Sequence, residues 1–316
     1  MKAWVITEYG GPEVLEMREV EKPKNSKGKL LIEVEYAALN PYDYKIRSGI
    51  AKLMTGNKFP KILGGDFSGT IIESNDSNNE FKPGQSVYGF ANIFMREQGS
   101  LAEFTTISPK YVRHLPDGIN SKRACAITST GLTALNGIRK CGELKDKKVL
   151  VNGATGGVGH IATQIFSAND SVVIAVCSGT NMKTAEELGA KKVIDYTKED
   201  IYSGNDSYDI IFDAAAKLKF SKAKKLLTQN GIYCTTEEGI KVMLTLAISK
   251  LKFSKSMIIS GFRGTKAEFD EMEDLMLHKG IKPIISHNFP FAEVNDAFKM
   301  LEENRPSGKV LIKVKN

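Results

Sequence analysis

The chain has 316 residues, of which 41% are hydrophobic and 26% are charged. This composition is typical of a globular protein and excludes a disordered one, and the length favours two domains. No apolar stretch reaches the roughly 18–20 residues of a membrane-spanning helix, and the net charge of +7 does not choose between nucleic acid, a membrane surface and phosphate-bearing ligands as partners.

The amino-terminal part of the chain is predicted to be an irregular β-domain. Residues 29–39 are apolar and rich in strand-forming side chains, and residues 71–72 and 86–90 are predicted to form further short strands. Turns rich in glycine, asparagine and proline separate these strands.

Strands and helices alternate in the middle of the chain. The predicted strands are residues 148–152, 172–176, 192–195, 208–213, 231–235 and 257–260. The predicted helices are residues 158–168, 184–188 and 221–227. This alternation is typical of an α/β fold whose parallel sheet is doubly wound, with helices on both faces.

The carboxyl-terminal part is predicted to return to the first domain. It contains a predicted helix over residues 291–303 and a final strand over residues 309–314. The predicted domains are therefore residues 1–122, completed by 262–316, and a nucleotide-binding domain over 123–261.

A glycine-rich turn, residues 153–159 (GATGGVG), stands between a predicted strand and a predicted helix. Dinucleotide-binding proteins bind pyrophosphate in this position, because the helix N-terminus offers free N–H groups to the anion. The strict G-x-G-x-x-G pattern fails at Ala154, while Gly156 and Gly159 fit it. A tight structural turn is the alternative, and the surrounding alternation favours a nucleotide site.

The end of the next predicted strand indicates which coenzyme is bound. NAD-binding proteins place an Asp or Glu there for the ribose 2′-hydroxyl, whereas this chain has Ser178 and Lys183, which suit a 2′-phosphate. Tyr196 ends the third predicted strand and could cover the adenosine or reach the phosphate. The pattern favours NADP(H), with a solvated Lys183 and an edge-packed Tyr196 as the alternatives.

Metal and disulfide chemistry find no support in the sequence. The four cysteines, Cys125, Cys141, Cys177 and Cys234, form no C-x-x-C pair, and the four histidines are isolated, so no zinc site is expected. Few cysteines and no signal-peptide pattern favour a reducing compartment, and we expect a cytoplasmic location. Without a metal or an evident nucleophile, a bound nicotinamide is expected to carry the chemistry.

Short motifs follow one another along nearly the whole chain. They are residues 40–45 (NPYDYK), 64–69 (GGDFSG), 82–89 (KPGQSVYG), 99–104 (GSLAEF), 131–134 (GLTA), the glycine-rich turn, 195–196 (DY) and 308–310 (GKV). Together they resemble the zinc-independent branch of the medium-chain dehydrogenase/reductase superfamily, above all its NADPH quinone oxidoreductases and alkenal/enone reductases. The resemblance implies a GroES-like catalytic domain, a Rossmann domain with the active site between them, NADPH, hydride transfer to an activated C=C bond or a quinone, and a homodimer.

The resemblance also assigns roles to individual residues. The catalytic candidates are Asn40, Asp43, Tyr44 and Lys45, with Tyr44 a possible proton source. The cofactor-binding candidates are Lys45, Thr130 (expected just before the helix that opens the cofactor domain), Gly156, Gly157, Val158, Ser178, Lys183, Tyr196 and Lys309. Two alternatives stay open, since Asn40 could cap a turn before Pro41 and Asp43 could cap the following helix.

The chain departs from the family pattern in two places, of which the first concerns only the structure of a turn and the second bears on the substrate. Gln85 replaces the usual Asp of a G-D-x-V turn, and Lys45 stands where some quinone reductases carry Tyr. The second departure favours an enone or enal over a quinone. Residues 50–59 and 90–98 are candidate pocket walls, and the apolar 90–98 loop suggests a hydrophobic substrate or, equally, core packing.

Two other classes of function are the alternatives to an enzyme. One is an NADP(H)-binding redox sensor or structural protein with little turnover. The other is a binder of nucleic acid or a membrane surface, for which no nucleic-acid module and no stable membrane insertion are found. Residues 217–255 hold nine lysines and two glutamates, an excess equal to the whole net charge, and include a possible amphipathic helix over 240–255.

Overall fold

The computed structural model describes residues 1–93, 97–203, 206–237, 256–304 and 306–315. The chain divides into unit 1, which contains Met1–Ser129, Gly264–Phe269 and Pro283–Asn316, and unit 2, which contains Thr130–Arg263 and Asp270–Lys282. The possible helix over 240–255 and most of the basic stretch 217–255 lie outside the described residues.

The division differs from the predicted boundaries in two main places, besides Phe262 and Arg263, which lie in unit 2. Unit 1 extends to Ser129 rather than to residue 122, and Asp270–Lys282, predicted to lie with the first domain, belongs to unit 2. The Gln164 side chain and the Lys282 backbone exchange two hydrogen bonds, of 2.9 and 3.0 Å. Arg139 forms an ion pair with Glu271, so both ends of the segment are attached to unit 2.

The elements are numbered in chain order. The strands are β1 (Lys2–Ile6), β2 (Leu15–Glu19), β3 (Leu30–Leu39), β4 (Lys61–Ile62), β5 (Asp66–Ser74), β6 (Ser86–Phe90), β7 (Phe104–Ile107), β8 (Val112–His114), β9 (Lys148–Asn152), β10 (Val172–Cys177), β11 (Lys192–Asp195), β12 (Tyr208–Asp213), β13 (Leu227–Thr235), β14 (Ser256–Ile259), β15 (Ile285–Pro290) and β16 (Lys309–Lys313). The α-helices are α1 (Pro41–Arg47), α2 (Lys52–Thr55), α3 (Ser121–Arg139), α4 (Gly159–Ala168), α5 (Met182–Glu187), α6 (Phe220–Ala223), α7 (Lys266–His278) and α8 (Val294–Lys299).

Unit 1 is built on two sheets. The smaller sheet has the order β2-β1-β4, and the larger has the order β15-β16-β3-β5-β6-β8, with β7 also paired to β3. The last strand, β16, runs antiparallel to β3, with Val310 opposite Leu39. The carboxyl-terminal tail therefore adds two strands to the amino-terminal β-domain.

Unit 2 contains one sheet in which every pairing is parallel, in the order β11-β10-β9-β12-β13-β14. Numbered within the unit, this is the order 3-2-1-4-5-6 of a doubly wound dinucleotide-binding fold. The expected parallel α/β sheet is confirmed. Central β9 has β10 on one side and β12 on the other, so the turn after β9 lies where the strand order reverses.

Two predicted helices are shorter than expected. Predicted helix 221–227 becomes α6 and a 3₁₀ turn, Lys224–Leu226, because Leu227 already pairs with Tyr208 in the sheet. Predicted helix 291–303 becomes a 3₁₀ turn, Phe291–Glu293, followed by α8 and the wider π-helical turns Met300–Asn304.

Within the described residues, no helix is both long and apolar enough to cross a membrane.

Candidate functional site

A buried polar cluster lies in unit 1 where the end of β3 meets the beginnings of β5 and β16. The antiparallel register places Ala38 opposite Asp66 and Leu39 opposite Val310, so residues that follow or begin these strands come together. We use the name polar cluster for the side chains of Asn40, Tyr42, Asp43, Asp66, Ser129 and Lys309. They come from β5, β16, α1 and its cap, and α3.

Lys309 and Asp66 form the charged centre of the polar cluster. The Lys309 ammonium lies 2.5 Å from Asn40 Oδ1, 3.1 Å from the Leu39 carbonyl and 3.4 Å from Asp66 Oδ2. Asp66 also accepts hydrogen bonds from the Asn40 amide, at 2.9 Å, and from the Ser129 hydroxyl and backbone N–H. Both charged side chains are buried, and these bonds offset the cost of removing the charges from water.

This arrangement bears on two predicted site residues. Asn40 uses its amide to orient Asp66 and Lys309, and Lys309 places its ammonium inside unit 1. Contact of Lys309 with a coenzyme stays a prediction, and the geometry favours a positioning role for this residue.

Asp43 is fully buried and caps the beginning of α1. Its carboxylate accepts hydrogen bonds from the Asn40 N–H, at 2.8 Å, and the Gly64 N–H, at 3.1 Å. Burial raises the pKa of Asp43 to about 7, the two N–H groups and Lys309 oppose the rise, and the charge of Asp66 adds to it. The capping interpretation of Asp43 is confirmed, and its contact with substrate stays a prediction.

Tyr42 completes the polar cluster, and sequence reasoning missed it. Its ring is partly exposed, while its hydroxyl is hydrogen-bonded to the side chains of Ser129 and Asn40. Burial raises the pKa of the phenol well above its usual value, so the hydroxyl stays protonated. A Cβ atom on Gly65 would lie 1.3 Å from Tyr42 Oη, so the hydroxyl occupies space that only a glycine leaves open. The Gly64-Gly65 pair was the available signal.

Tyr44 and Lys45 lie on the same short helix in different surroundings. On α1, Tyr44 is partly exposed and Lys45 is exposed. The hydrogen bond between Asn40 and Asp43 holds the first turn of this helix. The polar cluster thus sets the position of a helix that presents both predicted catalytic side chains.

The glycine-rich turn of unit 2 has the shape that the sequence predicts. Gly153 adopts a positive φ of 74°, and its N–H and that of Ala154 both donate to the Val176 carbonyl on β10. A Cβ on Gly159 would lie 1.9 Å from the Gly153 carbonyl oxygen, so α4 begins at a residue that must be glycine. A Cβ on Gly156 would have no neighbour nearer than 3.4 Å. The structure therefore requires Gly153 and Gly159, and leaves the backbone at Gly156 open.

This opening fits a pyrophosphate group. Gly157 and Val158 follow Gly156 directly before α4, a helix of 10 residues. The first N–H groups of a helix have no partner within the helix and attract anions. His160, in the first turn, is buried and contacts the Gly156 carbonyl through Nδ1 at 2.8 Å, as expected of a helix residue rather than a metal ligand.

The turn after β10 gathers polar side chains near the surface of unit 2. Ser178 Oγ lies 3.0 Å from Thr180 Oγ1 and accepts a hydrogen bond from the Asn181 amide at 3.1 Å. The Lys183 side chain is 86% exposed and lies 3.9 Å from Glu187. Tyr196 is 57% exposed, and both its contact with the coenzyme and the edge-packing alternative stay predictions.

A carboxylate that sequence reasoning missed stands beside this turn. Asp195 ends β11, is 4% exposed, and pairs in register with Cys177 at the end of β10. A Cβ on Gly179 would lie 2.5 Å from Asp195 Oδ2. The acid comes from the neighbouring strand, so a search limited to the residues after β10 does not find it.

Thr130 lies inside α3, and the expectation that it precedes a helix is wrong. The helix already begins at Ser121, where the Asn120 side chain accepts a hydrogen bond from the Arg123 N–H at 2.9 Å. This cap starts the helix in unit 1, and Thr130 is the first residue assigned to unit 2.

The described apolar residues of the 90–98 loop are buried. Phe90 and Ile93 are 6% and 7% exposed, which favours core packing for them. Phe94 and Met95 lie outside the described residues. All four cysteines are buried and unpaired by disulfides, and no metal-binding group of three or more His, Cys, Asp or Glu side chains occurs in the part of the chain that the structure describes.

Comparison with known proteins covers both units. The alcohol dehydrogenase GroES-like domain matches residues 26–117, and the domain described as zinc-binding dehydrogenase matches residues 188–312. The 2-methylene-furan-3-one reductase of Solanum lycopersicum is 33% identical, and the chloroplastic NADPH-dependent alkenal/one oxidoreductase of Arabidopsis thaliana is 31% identical. Each match covers 99% of this chain and 79% of the relative.

A solved structure, the quinone oxidoreductase from Coxiella burnetii, superposes with a TM-score of 0.92 at 28% identity, over 100% of this chain and 99% of that one. With a GroES-like amino-terminal domain, a parallel dinucleotide-binding sheet and relatives at this identity over nearly its full length, the chain is an oxidoreductase that belongs to the quinone oxidoreductase and alkenal/enone reductase branch of the medium-chain dehydrogenase/reductase superfamily.

Proposed function

We propose that the protein is an NADPH-dependent reductase of enals and enones, with quinones as a second class of acceptor, and that it works without zinc. The observation that carries the proposal is the turn after β9, where Gly153 and Gly159 shape a helix N-terminus and the backbone at Gly156 is open. This turn lies at the point where strand order reverses, which is where doubly wound proteins bind dinucleotides.

The coenzyme would be held by side chains and backbone of unit 2. Gly156, Gly157 and Val158 would bind the pyrophosphate, and Ser178, Lys183 and Tyr196 would surround the 2′-phosphate. Exposure of Lys183 and Tyr196 and the gathered hydroxyls of Ser178 and Thr180 support this assignment. When bound, NADPH supplies the hydride, which no side chain of the protein provides.

Unit 1 would act on the substrate. Tyr44 and Lys45 offer a hydroxyl and an ammonium as hydrogen-bond donors, and donors of this kind stabilise the negative charge that develops on a carbonyl oxygen. Asn40 and Asp43 are buried, so we assign them the work of holding α1 in place.

A hydrophobic enal or enone is the favoured substrate. Ile50, Leu53 and Met54, within the predicted pocket wall 50–59, are 77%, 96% and 62% exposed, and an apolar ligand would cover them favourably. The presence of Lys45 where some quinone reductases carry Tyr points the same way, as do the names of the Solanum and Arabidopsis relatives.

The test follows the loss of NADPH absorbance with acrolein-type enals, long-chain enones and 1,4-benzoquinones in turn. We expect the fastest turnover with an enal or enone and a loss of kcat in Tyr44→Phe and Lys45→Met. Lys24→Met, which removes an exposed lysine between β2 and β3, is the matched control. The absence of NADPH consumption with every acceptor would refute the proposal, and tight NADPH binding without turnover would select the redox-sensor alternative.

The zinc-free part of the proposal has its own test. We expect full activity after dialysis against a chelator and less than one zinc ion per active chain in metal analysis. Activity that disappears on chelation and returns with zinc contradicts it.

The proposal also includes a homodimer, as the family resemblance implies, and a cytoplasmic location. Light scattering of the purified chain and fractionation of the source cells test these two points. A monomer, or recovery in an organelle fraction, would contradict them.

A further inference from the structure

We propose that Asp195 determines coenzyme specificity, by placing a covered negative charge beside the turn assigned to the 2′-phosphate and so limiting the preference for NADPH over NADH. The inference rests on the proposed coenzyme site of unit 2. It predicts that the enzyme binds both coenzymes. The preference for NADPH over NADH should be smaller than the preference that Ser178 and Lys183 would give without Asp195.

The sheet register brings Asp195 to this turn. β10 and β11 run parallel, and Cys177 pairs with Asp195, so the two strands end side by side. The turn beginning at Ser178 and the Asp195 carboxylate therefore share one edge of the sheet. The sequence rule for NAD-binding proteins considers only an acid at the end of the second strand of the fold. It therefore does not identify Asp195, which ends the third strand.

The carboxylate lies directly against the backbone of the turn. A Cβ atom on Gly179 would lie 2.5 Å from Asp195 Oδ2, so there is no room for a side chain at this position. Oδ1 accepts hydrogen bonds from the Thr197 hydroxyl, at 2.7 Å, and from the Thr197 N–H, at 3.0 Å. These bonds hold Asp195 in place and direct Oδ2 toward Gly179.

The carboxyl group of Asp195 favours its charged form, and one of its two oxygens, Oδ2, is without a hydrogen bond of good geometry from the described residues. The hydrogen bonds from Thr197 lower the pKa of the carboxyl below its usual value, with smaller contributions from Lys198 and the Gly179 amide. Oδ2 accepts no hydrogen bond of good geometry from the described residues, and Lys198 Nζ, on a side chain that is 78% exposed, lies 3.9 Å away. Burial, followed by the charge of Asp195, raises the pKa of the thiol of Cys177, which pairs with Asp195 across the two strands, to about 11.

The two coenzymes respond differently to this charge. A 2′-phosphate carries between one and two negative charges near neutral pH, whereas the 2′-hydroxyl of NADH is neutral. A covered carboxylate next to the turn repels the phosphate and leaves the hydroxyl unaffected. Across one turn of backbone, Coulomb repulsion of this kind changes an affinity ratio by roughly 3- to 10-fold.

The experiment measures the dissociation constants of NADPH and NADH by coenzyme fluorescence with the full chain. We expect the ratio Kd(NADH)/Kd(NADPH) to rise roughly 3- to 10-fold in Asp195→Asn. Glu199→Gln, which makes the same change of charge at an exposed position, is the matched control and should leave the ratio unchanged.

A second variant keeps the test decisive if Asp195→Asn does not fold. Lys198→Ala removes the cation that pairs with the carboxylate, so the ratio should fall by about 2-fold or more. Lys191→Ala, at another exposed lysine, should leave it unchanged.

Three results would overturn the inference. An unchanged ratio in Asp195→Asn means that its charge does not reach the coenzyme. A lower ratio means that Asp195 only shapes the turn. If Asp195→Asn does not fold, an unchanged ratio in Lys198→Ala also means that the charge of Asp195 does not reach the coenzyme. Failure of the proposed coenzyme site looks different, because neither coenzyme would then bind the unaltered protein, and failure of the proposed reaction would show as coenzyme binding without turnover.

Discussion

Replacing Gly65 with alanine should break the polar cluster of unit 1 through a single methyl group. The new Cβ would lie 1.3 Å from Tyr42 Oη, 2.5 Å from Tyr42 Cζ and 3.2 Å from Tyr42 Cε2. Gly65 has no positive φ, so the backbone itself accepts alanine. The whole effect therefore passes through Tyr42.

The size of the effect follows from the contacts that Tyr42 must give up. A non-bonded carbon and oxygen stay more than about 3 Å apart, so the hydroxyl must move by roughly 2 Å and leave Ser129 and Asn40. A buried polar group without its partner costs about 1–3 kcal/mol, and only the Tyr42 hydroxyl is left in this state, because Ser129 and Asn40 keep their bonds to Asp66. We expect Gly65→Ala to lower the free energy of unfolding by this amount.

Urea unfolding of a double-mutant cycle of Gly65→Ala and Tyr42→Ala measures this loss of unfolding free energy. In the Tyr42→Ala background the obstruction is gone, and Gly65→Ala should then cost less than about 1 kcal/mol. Gly261→Ala, where a Cβ would meet nothing within 4 Å and φ is not positive, controls for the exchange of glycine for alanine. Additive effects within about 0.5 kcal/mol would refute the reasoning, because they would mean that Gly65 and Tyr42 act independently.

Three further predictions concern the two sites. Because the pKa of Asp43 rises from 3.8 to about 7 on folding, the folded protein binds more protons than the unfolded chain between these values. The free energy of unfolding should therefore fall as pH rises through this window, and a pH series of unfolding curves should show a smaller fall in Asp43→Asn. Gly159→Ala should destabilise the protein by about 1–3 kcal/mol through its overlap with the Gly153 carbonyl, whereas Gly156→Ala should cost less than about 1 kcal/mol in the same urea assay; equal costs would contradict the assigned geometry. Lys309→Met should cost about 3–5 kcal/mol, because it leaves the buried Asp66 charge without its partner, and an unchanged thermal midpoint would show that the pair is dispensable.

The sequence predicted unit 2 more closely than unit 1. β9, β11 and β12 have the predicted bounds, because a buried parallel strand is a short apolar run that ends where polar or turn residues begin. In unit 1, β5 runs from Asp66 to Ser74, and only its central Ile71 and Ile72 were predicted. Its first residues include polar side chains whose burial depends on partners far away in the chain.

The two candidate sites also differ in how much of each the sequence predicted. The glycine-rich turn was predictable because its strand, its glycines and its helix are neighbours in the chain. The position of Thr130 inside α3 was not, because a cap at Asn120 starts that helix earlier. The role of Tyr42 also escaped prediction, because its partners are Gly65 and Ser129, which are remote in sequence.

By itself, the sequence determined the parallel α/β sheet, the place of the dinucleotide turn and the family to which the chain belongs, since each depends on patterns within about 30 consecutive residues or on motif order. Only the tertiary structure decided that Lys309 is buried against Asp66 and that Asp195 stands beside Gly179. Both contacts join strands through sheet register, and register brings together residues whose separation in the chain carries no local signal. For this reason the pairing of the strands, and not the spacing of residues along the chain, identifies the charged side chains that surround each of these two sites.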